Sequence, residues 1–343
     1  MIPELSVIIP YYNRADTIQL VLESVARARH DLAVEVILVD DGSAPSAAQS
    51  LAGQRWQPDQ IIRQENQGLL FARLTGLKAA TGTFVLFLDS DDLVGPQKFI
   101  AQLTAMRLAA ADVSYTDTTT AELRSPYDVI TISSAIEVAE PTKDSATFFI
   151  RVQPAPHSPI FRTAWLRALV LAPLFPPSTS YNAVAEIWFY HIAALFPAQV
   201  IKVPGAHTII GQHGGPRLTN QWEKMGVASL GVMEAFDRSC PRTPATLPLR
   251  ELFGEKAFHS WRALPYDFSP EFRRRSLALW RRSPRGSLSH LGGPRFCTCA
   301  RLVGPALAGW VFRRLQGKSY QSCRTLADDD QVTRWLAALP SSP

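Results

Sequence analysis

Short apolar runs that end in polar clusters alternate, over the first hundred residues, with stretches whose apolar positions recur three and four apart. Leu5 to Ile9 is an apolar, β-branched run closed by Pro10, and Val34 to Val39 is another, closed by Asp40-Asp41-Gly42-Ser43. Both read as buried strands. Between them Ile18, Val21, Leu22 and Val25 follow helical spacing, and Asp16 with Gln19 has the form of a capping box. The unit is βαβ. It repeats with a weaker strand at Gln60 to Arg63, a helix face at Leu70, Leu74 and Leu77, and a strong strand at Thr83 to Leu88. Pro96 suits a helix first turn ahead of Phe99, Leu103 and Met106, and Val113 to Thr116 reads as a further strand.

Strands alternating with helices predict a parallel, doubly wound sheet, whose ligands bind beyond the carboxyl ends of the strands. Those ends carry Tyr11-Tyr12-Asn13, Asp40-Asp41-Gly42-Ser43 and Asp89-Ser90-Asp91-Asp92. Beyond about Ala121 the periodicity fades, and the prolines of Pro154 to Pro159 and Pro173 to Pro177 predict irregular loops rather than a second regular sheet. Helical spacing returns from Ala183 to Phe196. Pro241-Arg242-Thr243-Pro244 marks a boundary before helical segments rich in Arg and Trp. No internal repeat is present.

Composition narrows the class. The 343 residues are 46% hydrophobic, enough for a buried core, and no window approaches the roughly 18 apolar residues of a spanning helix. The start, Met1-Ile2-Pro3-Glu4, leads into a strand without a basic leader, which argues against secretion. Cys240, Cys297, Cys299 and Cys323 show no paired zinc spacing and read as reduced thiols of a cytoplasmic protein. The net charge of +5 is uneven: ten arginines and one acid lie between Glu271 and Leu315.

Carboxylates crowded at the end of an apolar strand repel one another unless a positive charge sits among them. A hard divalent cation, Mn²⁺ or Mg²⁺, supplies it and is commonly shared with substrate phosphates. Such a cation suits a diphosphate leaving group, whose developing charge it offsets.

Here the sequence resembles a known family. Val7-Ile8-Ile9-Pro10-Tyr11-Tyr12-Asn13, Val39-Asp40-Asp41-Gly42-Ser43, Asn66-Gln67-Gly68-Leu69-Leu70-Phe71-Ala72-Arg73 and Leu88-Asp89-Ser90-Asp91-Asp92 follow in order the pattern of glycosyltransferase family 2. Members are inverting enzymes of the GT-A fold. The resemblance implies that Pro10, Tyr12 and Asp41 meet the nucleobase of a nucleotide-sugar donor, a UDP-sugar above all, and that Asn13 also belongs to the donor site. It implies that Arg73, Asp89 and Asp91 bind the nucleotide, and that Asp91, Asp92 and His213, within Gly211-Gln212-His213-Gly214-Gly215, hold the metal. The general base maps to Glu186 in Ala185-Glu186-Ile187-Trp188, with Ala185 where the family often has a first acid. A helix-start Glu favoured by the macrodipole is the structural reading of the same residue. His157, in a proline-rich loop, and His191, inside the Glu186 helix, read as structural.

The tail interleaves Arg with aromatics: Phe272-Arg273-Arg274-Arg275, Trp280-Arg281-Arg282, and Leu302 to Leu315 with Trp310 and Arg313-Arg314. It reads as an element lying on an anionic membrane surface, or as a helical subdomain whose Arg stems cover apolar surface. No nucleic-acid reader motif accompanies it. The expected architecture is α/β: a GT-A, Rossmann-like, mostly parallel twisted sheet flanked by helices, with an Arg-rich helical C-terminal extension. Residues 1–120 form its donor half, 121–239 its acceptor half and 240–343 the extension. The expected activity is transfer of a sugar to a hydroxyl of a glycan or lipid-linked acceptor, in the cytoplasm or at the inner membrane face. A catalytically silent scaffold and a nucleotidyltransferase are the alternatives, the latter lacking its phosphate loop.

Overall fold

The computed structural model describes residues 2–124, 128–214, 220–326, 328 and 330–340. The chain divides into two compact units, one of Met1–Phe148, Val152–Pro173 and Phe196–Gly215, the other of Phe149–Arg151, Leu174–Leu195 and Pro216–Pro343.

The first unit holds the strands β1 (Leu5–Tyr11), β2 (Val34–Asp41), β3 (Gln60–Gln64), β4 (Phe84–Phe87), β5 (Leu93–Val94), β6 (Val113–Tyr115), β7 (Thr118–Arg124), β8 (Asp128–Ile132), β9 (Ile160–Arg162), β10 (Val200–Lys202) and β11 (Thr208–Gln212). A seven-stranded sheet runs β10-β6-β9-β4-β1-β2-β3. It is parallel throughout except where β9 pairs with β4 and β6. Every residue of β1 is buried, as expected of a central strand covered on both faces. Val7 and Ile9 join Val21, Val25, Phe99, Leu103 and Met106 in the core; each such side chain contributes roughly 2 kcal/mol by leaving water. Helix Leu69–Ala79 crosses the other face so closely that a Cβ on Gly76 would lie 2.3 Å from Ile8 Cγ2.

Three local expectations are corrected. Thr17, not Asp16, precedes helix Ile18–Arg29 and makes no side-chain cap, its hydroxyl donating to Ser90 O at 2.7 Å, while the Gln19 carboxamide bonds both backbone groups of Trp56. Pro96 lies outside its helix, which begins at Lys98 after Gln97. The region past Ala121 is not only loops: β7 and β8 join β5 and β11 in a second sheet ordered β5-β11-β7-β8. The threonines of β7 supply β-branched backbone preference; β8 follows it directly in the chain, while β11 pairs with it from far along the sequence.

The second unit is helical. Helices Ala185–Ala193, Trp222–Ser239 and Leu247–Ala263 pack aromatically: the His191 ring lies 5.2 Å from that of Phe236 and 6.2 Å from that of Phe253. Burial pushes His191 down to about 4, so it packs as a neutral ring. Helices Leu247–Ala263, Pro270–Arg282, Pro294–Val303 and Pro305–Gln316 each carry a proline in the first turn, where a missing N–H costs no hydrogen bond. Among the described residues no helix is long and apolar enough to cross a membrane.

Candidate active site

Parallel register brings the ends of β1, β2 and β4 to one edge of the seven-stranded sheet, with Tyr11 opposite Asp40 and Ile8 opposite Phe87. Pro10 is buried opposite Val39, while Tyr12 stands 52% exposed. Asn13 takes φ 51°, a left-handed conformation that Asn tolerates, and clamps the next turn: its Oδ1 accepts from Ala44 N at 2.9 Å and its N–H donates to Ser43 Oγ at 3.0 Å.

Strand alternation sends Asp40 and Asp41 to opposite faces. Asp40 accepts from Ser43 N (2.8 Å), Ala47 N (2.9 Å) and Arg63 Nη1 (2.5 Å). Burial pushes its carboxyl upward, but these donors outweigh burial and hold it below the usual value. Asp41 accepts from Gln64 Nε2 (2.8 Å), Gln67 N (2.9 Å) and Gly68 N (2.7 Å). It thereby fixes the left-handed Gly68, φ 91°, at the head of helix Leu69–Ala79.

From that helix the buried Arg73 donates through Nη2 to Asp89 Oδ1 at 2.6 Å. Two residues on, Asp91 Oδ2 lies 2.9 Å from His213 Nε2 and 3.6 Å from Arg14 Nη2. Burial raises the Asp91 carboxyl above its ordinary value, and the Asp92 and Asp89 charges raise it further, against the opposing pull of His213 and Arg14. A cation beside it would favour the ionised form that burial and the neighbouring acids disfavour.

Asp92, expected among the metal ligands, is instead turned into the protein. It is 6% exposed, its Oδ1 accepts from Gly211 N at 2.9 Å, and its Oδ2 lies 3.1 Å from His157 Nδ1. Gly211 is needed there, since a Cβ would fall 1.9 Å from the Asp91 carbonyl oxygen. The end of β11 thus lies directly on the acidic turn and delivers His213 to it. Gly215 of the same segment lies outside the described residues. Among the described residues no group of three His, Cys, Asp or Glu side chains is arranged to hold a metal ion. Asp91 and His213 form a facing pair, a donor set to which a phosphate-bound Mg²⁺ or Mn²⁺ is suited, because such ions take one or two protein ligands beside substrate oxygens.

Two groups escaped the sequence reading. Arg14 stands immediately after the Tyr11-Tyr12-Asn13 turn, so its position was a signal. Lys98 is fully buried, with Nζ donating to Ser158 O (3.0 Å) and Thr208 Oγ1 (3.1 Å), and burial lowers its basicity strongly. It pins the start of β11 to the loop after His157; Gln102, one helical turn later, bonds the same Ser158 carbonyl at 3.2 Å. Glu186 belongs to the second unit, in the first turn of helix Ala185–Ala193 beside a buried Ala185.

An α/β sheet with polar strand ends, a paired acid and imidazole, and a second small sheet over them defines a GT-A fold. Residues 6–129, little more than a third of the chain, match the model of the family described as Glycosyl transferase family 2. The segment is 39% identical over 102 residues to the uncharacterized glycosyltransferase EpsJ of Bacillus subtilis, covering 29% of each protein. It is 34% identical over 117 residues to the succinoglycan biosynthesis protein ExoO of Rhizobium meliloti, covering 33% of this chain and 32% of that one. The chain therefore matches about three tenths of these relatives' length. The crystal structure of S. aureus TarS 1-349 in complex with UDP-GlcNAc superposes with a TM-score of 0.54 at 19% identity, over 92% of this chain and 93% of that one, a likeness of fold.

Proposed function

We propose that the chain transfers a sugar from a nucleotide-sugar donor, a UDP-sugar, to a hydroxyl of a glycan or lipid-linked acceptor with inversion, in the assembly of a surface polysaccharide or glycolipid. The observation that carries this reading is the placement of Asp91 2.9 Å from His213 and 3.6 Å from Arg14 at the strand ends of the segment that matches family 2. The UDP-GlcNAc held by TarS, a protein of the same fold, and the succinoglycan role of ExoO support the donor class and the setting.

In this reading Pro10, Tyr12, Asn13 and Asp41 shape the nucleobase end, with Asp41 acting through the loop it holds. Arg73 and Asp89 orient the ribose and phosphates. Asp91 and His213 would hold Mn²⁺ or Mg²⁺ with the donor's phosphate oxygens, and the ion, when bound, offsets charge on the departing diphosphate. Arg14 adds a second positive charge on the same side. Asp92 serves the frame. The acceptor oxygen bonds to the anomeric carbon as the bond to the diphosphate breaks on the opposite side, and Glu186 takes the acceptor proton.

The test is a donor panel of UDP-, GDP- and dTDP-sugars with Mn²⁺, followed by calorimetry and product analysis. One UDP-sugar should bind and turn over, and Asp91→Asn should abolish metal-dependent donor binding. Glu186→Gln should keep donor affinity while turnover falls about 100-fold or more, as for a base that acts in the transition state. A chain that binds no donor is a scaffold; a fully active Glu186→Gln removes the base assignment.

A further inference from the structure

The second unit contains two Arg-rich stretches that the sequence alone does not distinguish. In helix Pro270–Arg282 three of the five arginines are paired with acids. Arg275 forms a two-pronged pair with Glu234 (2.9 and 2.5 Å), Arg282 bonds Asp237 at 2.9 Å, and Arg274 bonds Glu271 at 2.7 Å. Phe272 and Trp280 point inward, 4% and 6% exposed. That helix is an ordinary amphipathic element with most of its cations matched by acids.

The pair of helices Pro294–Val303 and Pro305–Gln316 is built differently. Gly304, at φ 83°, turns the chain between them, with open space around it. One side packs: Phe296 meets Phe312 edge-on at 5.8 Å, Ala300 and Ala308 are buried, and Gly309 lies so close to Trp261 that a Cβ would come within 2.5 Å of its ring. The other side leaves large apolar groups in solvent. Leu302 is 82% exposed, Leu315 77%, Leu307 51% and Trp310 43%. Leu307, Trp310 and Arg314 follow helical spacing, and the Arg314 guanidinium lies 5.4 Å from the Trp310 ring. From Leu288 to Lys318 the sequence contains four arginines and one lysine and no Asp or Glu.

Solvated leucines cost free energy in isolation, and Arg301 and Arg314, which form no ion pair among the described residues, can take an anionic partner. An apolar ridge flanked by Arg301 and Arg314 fits the boundary between acyl chains and acidic headgroups: the apolar tips enter the interface and the guanidinium groups meet phosphate. Beside Arg313, on the opposite side of the same helix, lies a cavity of about 600 Å³ lined among others by Arg262, Arg313, Lys318 and Trp222. We infer that the helical pair 294–316 docks this protein on an anionic phospholipid bilayer, with Leu302, Leu307, Trp310 and Leu315 as the inserted groups. The pair is too short and too charged to span, so the contact is peripheral and reversible. The inference stands apart from the proposed sugar transfer, because binding is read without donor or acceptor.

The experiment is sedimentation of the full chain with phosphatidylcholine vesicles containing 30% phosphatidylglycerol or none, at low and high salt. Binding is expected only to the anionic vesicles, weakened by salt, with Trp310 fluorescence shifted to the blue relative to a Trp310→Phe control. Leu302→Glu/Leu307→Glu, exposed positions that leave the fold and its melting temperature unchanged, should lower partitioning at least about tenfold, as should Arg301→Glu/Arg314→Glu. Charge reversal of Arg274 and Arg281 on the first helix is the control and should change it less than about twofold. Equal sedimentation with neutral vesicles, or unchanged binding of the Leu302→Glu/Leu307→Glu variant, overturns the inference. So does free inorganic phosphate at millimolar concentration abolishing binding at constant ionic strength, since the site would then be a pocket for a small anion.

Discussion

The turns Asp40–Ser43 and Asp89–Asp92 look alike in sequence: acids at the ends of two strands that both pair with β1. In the first, each carboxylate is surrounded by donors. Asp40 has two backbone N–H groups and Arg63, and Asp41 has two backbone N–H groups and Gln64. In the second, Asp92 bonds Gly211 of β11 and Asp89 bonds Arg73, while burial, with the charges of Asp92 and Asp89 behind it, raises the Asp91 carboxyl against His213 and Arg14. The density of acids does not define a site. The shortage of donors does, and it separates a turn that holds the fold from one positioned to receive a cation.

The comparison can be tested most strongly at Asp41. Asp41→Ala strands three donors, two of them backbone groups at a helix head, and should cost about 3 kcal/mol in urea titration at unchanged m; a loss below about 1 kcal/mol would mean that the loop is held by other means. Gly211→Ala forces β11 away from Asp91 and should cost about 2 kcal/mol. It should also weaken stabilisation of the fold by donor with Mn²⁺; intact stabilisation would show that the close approach is dispensable. Asp40→Asn places an amide against donors and should cost about 1 kcal/mol at pH 7.

Acid then separates the two turns by sign. Asp40 is held below its unfolded value, so its contribution is complete above the unfolded value near 3.8 and is lost as pH falls through its lower folded value. Asp91 is raised, so its ionised form penalises the fold at neutral pH, and the penalty is relieved as pH falls through that raised value. Asp91→Asn should therefore raise the ligand-free melting temperature at pH 7 by about 1–2 °C, a gain that shrinks on acidification. A gain that persists at low pH, or a Tm that falls at pH 7, would place Asp91 among the saturated carboxylates.

Much of this was legible. β1, β2 and β4 announce themselves because buried parallel strands are apolar without interruption, and their polar ends mark the binding edge. The second sheet was not legible. β5 is two residues long, and β11 finds β7 across a large sequence gap, so neither carries periodicity of its own. The fate of Asp92 was hidden for the same reason, as its partner Gly211 is 119 residues away. The arginines of 270–282 were visible, but not the acids that match them, since Glu234 and Asp237 sit on another helix.

The crossing of Gly211 over Asp91 bears on how the protein can be made. The family segment ends at residue 129, yet His213 reaches Asp91 from 122 residues further on. On the ribosome, the acidic turn emerges long before its imidazole partner and must wait, exposed and mutually repelling, until β11 has been synthesised. A fragment cut at the family boundary would keep every residue of the acidic motif and lack the strand that closes over it.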